Sequence, residues 1–351
     1  MKRLLSLLLA VLFLAVGCTK PAEPAKTEEP KVAEETQKPE EKQEEKVDET
    51  QTNENETVYP VTWKENFDGA EVEFTVDHTP ERAISMSQAT TEMMLAIGLK
   101  DKMVGTAFLE EEIYDSLKAD YDQVKVLSEK WPSLEVFMAE NPDFTSGWPV
   151  PFTKRAIEAK NLIEKNVNIF IPESMKRTDA NLETNFEDLL MYGKIFNRNQ
   201  EAKAFVDGQR EKLAKVQESL KDLPEKRVFI YDSEDGDPFT VYEGYTTNVL
   251  KLIGAKNILA DKGVDKTWDK ASWEEIIKED PEYIIVVDYG VSIRNTDDFD
   301  QKVQKMKDNP VTKDITAVKN NNFIRVKLSE ITPGVRTVDA LERLAKTIHA
   351  K

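Results

Sequence analysis

Aromatic and polar side chains gather at a few points of the sequence, and these are the residues that could bind a ligand. In the first half of the chain they are Ser87, Gln88, Phe108, Lys130, Trp131 and Trp148. In the second half they are Phe239, Tyr242, Trp268, Tyr289, Arg294 and Arg336. Aromatic walls with a few polar groups suit a cleft for a sizeable small molecule. The alternative for each tryptophan is that it packs against its own part of the fold.

The two arginines are candidates for holding an oxygen-rich ligand. A guanidinium can bind a carboxylate through two parallel hydrogen bonds. A surface salt bridge explains Arg294 equally well, because the chain carries 66 acidic against 48 basic side chains.

The same composition argues against enzyme chemistry and against nucleic-acid binding. The net charge is −18, whereas a nucleic-acid binder shows a basic footprint. Two histidines and one cysteine cannot build a His-rich metal cage, a CxxC site or a disulfide framework. No GxSxG, P-loop, GxGxxG or HExxH motif occurs in the sequence. We therefore expect no cofactor and no metal of the protein's own.

The candidate residues follow predicted strands, which places them at one edge of a sheet. Strands are predicted at 82–86, 103–106, 144–147 and 167–171, and again at 227–231, 283–287 and 323–326. Helical patterns alternate with them, so the fold class is α/β with mainly parallel sheets. Open sheets of this kind bind ligands beyond the carboxyl ends of their strands.

Two stretches of sequence recur in the same order, which indicates two similarly built lobes. Residues 90–98 resemble 246–254, and each reads as a helix with a Thr cap and a Gly stop. Residues 133–144 resemble 272–283, and each reads as a capped helix, a Pro turn and a strand. We predict an N-terminal lobe at 58–183 and a C-terminal lobe at 224–351, both three-layered. One long helix at 184–223 would join them, and the alternative is two helices broken near Asn197.

The first 57 residues read as a targeting segment and a spacer. Lys2 and Arg3 precede a short apolar run, so residues 1–17 are predicted to be a signal peptide. Residues 14–18 resemble the lipobox of bacterial lipoproteins, which implies that Cys18 is lipidated. The spacer up to residue 57 sets 13 acids against six lysines after Cys18, with no aromatic residue and no glycine. Segments 18–57 should therefore form a disordered tether that anchors the chain to a membrane.

The opening of the first lobe carries a family resemblance. Residues 82–87, 91–98 and 104–105, together with 133–144, the central helix and Pro333 to Arg336, resemble class III (cluster A) substrate-binding proteins. These proteins serve ABC importers of ferric siderophores, haem and cobalamin. The resemblance implies two lobes joined by a backbone helix, a ligand in the cleft between them, and a permease and its ATPase as partners. It also implies a monomer on the outer face of the cytoplasmic membrane, as in Gram-positive bacteria.

The resemblance also implies residue roles. In the cobalamin-binding member one glutamate of each lobe docks on the permease, and Glu135 and Glu274 occupy the matching positions. A carboxylate in the first turn of a helix is also favoured by the helix dipole, which is the alternative explanation. Phe239 and Trp268 match aromatic positions of the cobalamin binder.

The ligand is expected to be a metal chelate that carries little negative charge. Trianionic siderophores call for an arginine cluster, and only Lys130, Arg294 and Arg336 are candidates. A hydroxamate-like ferric siderophore is therefore favoured, with cobalamin or haem as alternatives. An extracellular enzyme of unknown reaction is the competing class.

Overall fold

The computed structural model describes residues 55–289 and 299–350. Strands in chain order are β1 (Val61–Phe67), β2 (Ala70–Val76), β3 (Ala83–Ser85), β4 (Met103–Ala107), β5 (Val126–Ser128), β6 (Phe144–Ser146), β7 (Asn168–Phe170), β8 (Lys226–Tyr231), β9 (Ser233–Asp235), β10 (Asp237–Val241), β11 (Ala255–Asn257), β12 (Trp268–Lys270), β13 (Tyr283–Val287) and β14 (Phe323–Val326). Helices are α1 (Gln88–Ala96), α2 (Lys118–Tyr121), α3 (Leu134–Met138), α4 (Ala159–Ile163), α5 (Leu182–Ile195), α6 (Asn199–Ser219), α7 (Tyr245–Lys251), α8 (Trp273–Glu279), α9 (Phe299–Asp308), α10 (Thr316–Lys319), α11 (Leu328–Ile331) and α12 (Thr337–Ile348). Short 3₁₀ turns occupy Lys100–Lys102, Asp115–Leu117, Val150–Phe152 and Glu173–Met175.

Two parallel sheets organise the fold, as the alternating pattern predicted. The first has five strands in the order β5-β4-β3-β6-β7, and the second has four in the order β11-β8-β13-β14. All seven predicted strands lie in these sheets. The central strand β13 has the sequence Tyr-Ile-Ile-Val-Val and is buried from Ile284 onward, as expected for a strand covered on both faces. We call residues 55–180 the N-terminal lobe and 226–350 the C-terminal lobe.

A β-hairpin precedes the first sheet and packs beside β7. Val61, Trp63 and Glu65 of β1 alternate inward with the two-residue period of a strand. The turn is Asp68-Gly69 with φ of +53° and +86°, the left-handed pair that a two-residue hairpin requires. The Trp63 ring donates its N–H to the Ile169 carbonyl at 2.8 Å, which fixes the hairpin on the sheet edge.

The C-terminal lobe contains an additional antiparallel sheet, β12-β10-β9, that has no counterpart in the other lobe. The strands β9 and β10 follow directly after β8 and turn at Gly236, whose φ is +80°. The strand β12 pairs with β10, so that Val241 faces Trp268 across the ladder.

The helix caps agree only in part with the prediction. Gly98 and Gly254 end their helices at positive φ, as expected. The N-caps are not the predicted threonines. Ser87 rather than Thr90 caps α1, and Gly244 is the N-cap of α7. Ser133 and Ser272 do cap α3 and α8 with their side chains.

The segment predicted as one linking helix consists of two helices, α5 and α6. Asn197 between them has φ of +53°, which ends the first helix, and its side chain accepts the Thr57 N–H at 2.7 Å. A Cβ at Gly193 would lie 2.6 Å from the Ala202 Cβ, so this glycine lets α6 pack closely on α5. The first of the two helices, α5, begins at the capping box of Asn181 and Thr184. Within the described part of the chain, no helix is long and apolar enough to cross a membrane.

Candidate ligand-binding cleft

A cavity of about 140 Å³ lies between the two lobes. The N-terminal lobe lines it with Trp148, Ser174, Met175, Lys176 and Arg177. The C-terminal lobe lines it with Tyr245, Thr246, Thr267, Trp268, Thr332 and Pro333. Trp148 follows strand β6 and the 174–177 segment follows β7, so the cavity lies at the carboxyl edge of the first sheet, where such sheets bind ligands.

Two tryptophans, one from each lobe, form the aromatic walls of this cavity. Trp268 is half-buried and stacks on Phe239 at 5.9 Å between ring centroids, with 23° between the planes. The pairing of β10 with β12 holds both rings in place. Trp148 is also half-buried and faces the cavity from the other lobe. Flat, partly exposed indole faces can stack on a planar or apolar ligand.

A second stacked pair lies in the N-terminal lobe, outside the cavity lining. Phe108 and Trp131 stack at 4.5 Å with 17° between the planes. The Trp131 N–H donates to the Met86 carbonyl at 3.0 Å, which ties the indole to its own lobe. Phe108 has φ of +59°, so the chain turns sharply after β4 to place this ring.

A lysine flanked by carboxylates forms the polar side of the cavity. The Lys176 ammonium contacts Glu65 and Glu173, each at 2.7 Å. Glu65 is 3% exposed and also accepts the Ile171 N–H at 2.8 Å. Burial raises the pKa of Glu65, and Lys176 only partly offsets this. Burial lowers the pKa of Lys176, but the two carboxylates outweigh burial and the pKa is raised.

The loop that carries Lys176 is anchored by a buried carboxylate of α5. Asp188 accepts the N–H groups of Glu173 at 2.7 Å and Ser174 at 2.9 Å. Burial raises the pKa of Asp188 to about 6, although these hydrogen bonds oppose the rise.

A buried ion-pair cluster joins the lobes beside the cleft. Arg336 at the start of α12 donates from Nε to Glu92 of α1 at 2.8 Å, and a second nitrogen contacts the same carboxylate. It also contacts Glu111 at 3.3 Å and the Glu112 carbonyl at 2.7 Å. The Ser329 hydroxyl donates to Glu111 from the same C-terminal lobe. We call Glu92, Glu111, Ser329 and Arg336 the interlobe seam.

The seam has one carboxyl with a perturbed titration. Burial raises the pKa of Glu111 to about 7, against the opposing effect of Arg336. One of its oxygens is buried without a hydrogen-bond partner among the described residues. Nearby, Tyr114 donates to Asp339, and burial together with this carboxylate raises the pKa of the phenol.

The comparison with known proteins identifies the family. The model of a family described as periplasmic binding protein matches residues 84–328, which is well over half of the chain. The chain belongs to the periplasmic binding protein family. A periplasmic binding protein from Veillonella parvula, solved by crystallography, is 63% identical with a TM-score of 0.82, and the match covers 84% of this chain and 99% of that one.

Two curated relatives match most of the chain at lower identity. An uncharacterized ABC transporter substrate-binding lipoprotein of Bacillus subtilis, YvrC, is 24% identical over 298 residues, covering 83% of this chain and 86% of the relative. A cobalamin-binding protein of Halobacterium salinarum is 22% identical over 302 residues, covering 83% of this chain and 74% of the relative. Together with the family model, these matches make the chain a class III substrate-binding protein of the kind that serves ABC importers. Proteins of this family act outside the cytoplasm with a permease and an ATPase.

In this periplasmic binding protein, five of the predicted ligand residues are buried and contact other protein groups. Ser87 is fully buried as the α1 cap, and Gln88 is 1% exposed and accepts the N–H groups of Glu110 and Glu111. Tyr242 is 4% exposed and packs in the core of the C-terminal lobe. The Tyr289 hydroxyl is buried and donates to Asp232 at 2.6 Å. Arg336 belongs to the interlobe seam, so its guanidinium already has its carboxylates.

The other predicted residues divide between the cavity, its surroundings and the surface. Trp148 and Trp268 line the cavity, Phe239 supports Trp268, and Phe108 pairs with Trp131. Lys130 is exposed. Glu135 and Glu274 are exposed and occupy the same second position of α3 and α8. Arg294 and Cys18 lie outside the described residues.

The sequence interpretation did not include the 174–177 segment among the candidate ligand residues. The strand at 167–171 was predicted correctly, and the rule that ligands bind beyond strand ends applies to the loop that follows it. Applying the rule to this strand would have identified Lys176. Within residues 55–289 and 299–350, no group of three or more His, Cys, Asp or Glu side chains is placed to hold a metal ion.

Proposed function

We propose that this substrate-binding protein captures a large metal chelate of low net charge in the interlobe cleft, cobalamin first and a ferric hydroxamate second. The observation that carries the proposal is the pair of indoles, Trp148 and Trp268, that face one cavity from the two lobes. Stacking on extended apolar faces would supply most of the binding energy.

The charges around the cleft favour a ligand without several carboxylates. Lys176 is paired with Glu65 and Glu173, and Arg177 forms a fork with Asp179 at 2.8 and 2.7 Å. Arg336 is held in the seam. A trianionic siderophore or the propionates of haem would therefore meet cations that already have carboxylate partners. Cobalamin carries neutral amides along its rim and meets no such conflict.

The relatives support cobalamin as the first candidate. The Halobacterium salinarum relative is named a cobalamin-binding protein, and others from Vibrio and Yersinia are named vitamin B12-binding proteins at 24% identity. The cavity of about 140 Å³ is below the ~300–1,000 Å³ of typical ligand pockets, so a chelate can enter only if the cleft opens wider. A ferric hydroxamate remains the second candidate because it also combines low charge with apolar surface.

Isothermal titration of the purified protein with cyanocobalamin, ferrioxamine B and haemin tests the ligand class. We expect cyanocobalamin to bind and haemin to bind much more weakly or not at all. Binding of ferrioxamine B alone would replace the first candidate with the second. If neither cyanocobalamin nor ferrioxamine B releases or absorbs heat, and neither changes tryptophan fluorescence, the proposal is wrong.

In the cell the loaded protein delivers its ligand to the permease. Glu135 and Glu274 stand at equivalent exposed positions of the two lobes, so they can dock together on two basic pockets of a permease. Cys18 would carry the lipid that keeps the protein at the membrane. Cys18→Ser in the native host should release the protein into the medium, and its retention in the membrane fraction would contradict the anchor.

A further inference from the structure

The β1–β2 hairpin lies outside residues 84–328, the part that matches the family model, yet its Glu65 contacts Lys176, which lines the cavity. Its Glu65 carboxylate is buried and accepts the backbone N–H of Ile171 through one oxygen. The other oxygen accepts from the Lys176 ammonium at 2.7 Å. The hairpin therefore holds both ends of the loop that carries Lys176 into the cavity.

Lys176 is placed to contact a ligand rather than to bridge carboxylates only. It lines the cavity, and 22% of its side chain remains exposed. An ammonium has three N–H donors. Glu65 and Glu173 are its ion-pair partners among the described residues, which leaves one donor for the cavity.

The charges of Lys176, Glu65 and Glu173 together decide which kind of ligand oxygen can accept the free N–H of Lys176. One ammonium stands between two carboxylates, so the cluster adds no net positive charge to the cleft. An anionic ligand oxygen placed beside Lys176 would also lie close to Glu65 and Glu173, and like charges in a partly buried site oppose each other. A neutral carbonyl oxygen can accept the hydrogen bond without that repulsion.

We propose that Lys176 donates to a neutral carbonyl oxygen of the bound chelate, a carboxamide or a hydroxamate, and that Glu65 is a positioning residue that makes the cleft discriminate against carboxylates. This inference rests on the proposed function, because it assigns the polar contact of the same cleft. It adds a selectivity that the aromatic walls cannot provide, since stacking is indifferent to a charge on the ligand rim.

A matched pair of probes tests the selectivity. Cyanocobalamin is compared with its monocarboxylic acids, in each of which one side-chain amide is hydrolysed to a carboxylate. Comparing the regioisomeric acids identifies the amide position that lies beside Lys176. For wild type we expect at least one regioisomer to bind roughly tenfold more weakly than cyanocobalamin. Glu65→Gln should reduce that ratio to near one, because the substitution removes one of the two repelling charges and retains the shape.

The control is Glu73→Gln, the same substitution on an exposed residue of the same hairpin. It should leave the ratio unchanged. Lys176→Met keeps the aliphatic stem and should weaken cyanocobalamin roughly tenfold, because one charge-assisted hydrogen bond is lost. If Glu65→Gln proves too unstable to purify, Glu173→Gln removes the second carboxylate from an exposed position and should lower the ratio in the same direction.

Distinct results separate the two proposals. If the wild type binds cyanocobalamin but no regioisomer is discriminated, or Glu65→Gln behaves like Glu73→Gln, the selectivity proposal is overturned and the ligand assignment stands. If Lys176→Met leaves cyanocobalamin binding unchanged, the contact itself is wrong. If the wild type binds ferrioxamine B instead, ferrioxamine B and its N-succinyl derivative form the matched pair. If the wild type binds neither chelate, both proposals fail together.

Discussion

The two lobes differ in the strand that precedes the repeated helix, which is α3 in one lobe and α8 in the other. In the N-terminal lobe the strand before α3 is β5, which pairs in parallel with β4 and forms the edge of the five-stranded sheet. In the C-terminal lobe the strand before α8 is β12, which leaves the main sheet and pairs antiparallel with β10. The remaining order is shared, since β4-β3-β6-β7 corresponds to β11-β8-β13-β14.

An insertion explains the difference. Only two residues, Met86 and Ser87, separate the end of β3 from the start of α1, whereas β8 is followed by the β9–β10 hairpin before α7 begins. The hairpin offers β10 as a partner to β12 and places Phe239 under Trp268. In the other lobe Trp131 stacks on Phe108, which follows β4, and donates its N–H to the Met86 carbonyl. A local insertion thus directs one aromatic pair to the cleft and leaves its counterpart outside the cavity.

The lobes also contribute differently to the seam between them. The N-terminal lobe supplies the carboxylates Glu92 and Glu111, and the C-terminal lobe supplies the donors Arg336 and Ser329. The lobes are therefore complementary at this contact rather than equivalent. The predictions below test each difference, beginning with the largest expected effect.

Removing the arginine of the seam should cost most. Arg336→Met leaves Glu92 and Glu111 buried without their cation, and breaking a buried ion pair costs about 3–5 kcal/mol. Urea denaturation measures the loss in the free energy of unfolding. Arg343→Met on the same helix removes a half-exposed pair with Glu330 and a hydrogen bond to the Arg325 carbonyl, and should cost less, about 1–2 kcal/mol. Equal losses for both variants would show that the buried ion pairs of the seam stabilise the fold no more than a surface pair does.

The pH dependence of stability should reveal the Glu111 carboxyl. Its folded pKa of about 7 lies above the ordinary 4.5, so the native protein binds the extra proton between these values. Its stabilising contribution is full below pH 4.5 and is lost as the pH rises through 7. Wild type should therefore lose on the order of 2 kcal/mol relative to Glu111→Gln over that range.

The control for this titration is Glu112→Gln on the same loop. Lys327 lowers the pKa of the exposed Glu112 carboxyl, so its contribution is lost as the pH falls, which is the opposite sign. Parallel stability curves for wild type and Glu111→Gln would contradict the assignment.

The aromatic pairs should differ in their effect on ligand affinity. Trp268→Ala should weaken cyanocobalamin binding at least about tenfold, or ~1.4 kcal/mol, because the indole lines the cavity. Trp131→Ala should change the affinity little, because its ring lies outside the cavity lining. Isothermal titration measures both, with circular dichroism to confirm folding. Equal weakening would mean that both stacked pairs contact the ligand.

The smallest effect on the isolated protein is expected at the equivalent glutamates. Glu135→Ala and Glu274→Ala each remove a helix first-turn carboxylate, a loss of about 0.3–1 kcal/mol, and should leave the ligand affinity unchanged. Cells with the double variant should take up much less radiolabelled cobalamin, and the single variants should lie between it and wild type. Normal uptake with normal binding would rule out the docking role.

The sequence predicted the strands correctly but not the contacts that surround the candidate site residues, for a physical reason. A buried strand such as β13 is specified by its own run of β-branched residues. Whether a side chain such as Gln88 or Tyr242 is available to a ligand depends on the groups packed around it. In the folded protein Gln88 accepts the Glu110 N–H, and the Tyr242 hydroxyl donates to the Lys270 carbonyl. The sequence also left open whether the linking segment breaks near Asn197. The positive φ of Asn197 ends the first helix, and the N–H of Thr57, 140 positions earlier in the chain, donates to its side chain.

The sequence by itself determined the α/β class and the order of strands and helices in two similarly built lobes, because these follow from local periodicity and from turn residues such as Gly98 and Gly254. Only the tertiary structure decided that Arg336 joins the lobes, that Lys176 is held by the hairpin, and that Trp268 rather than Trp131 lines the cleft. These outcomes depend on contacts between residues far apart in the chain, and no local pattern encodes them.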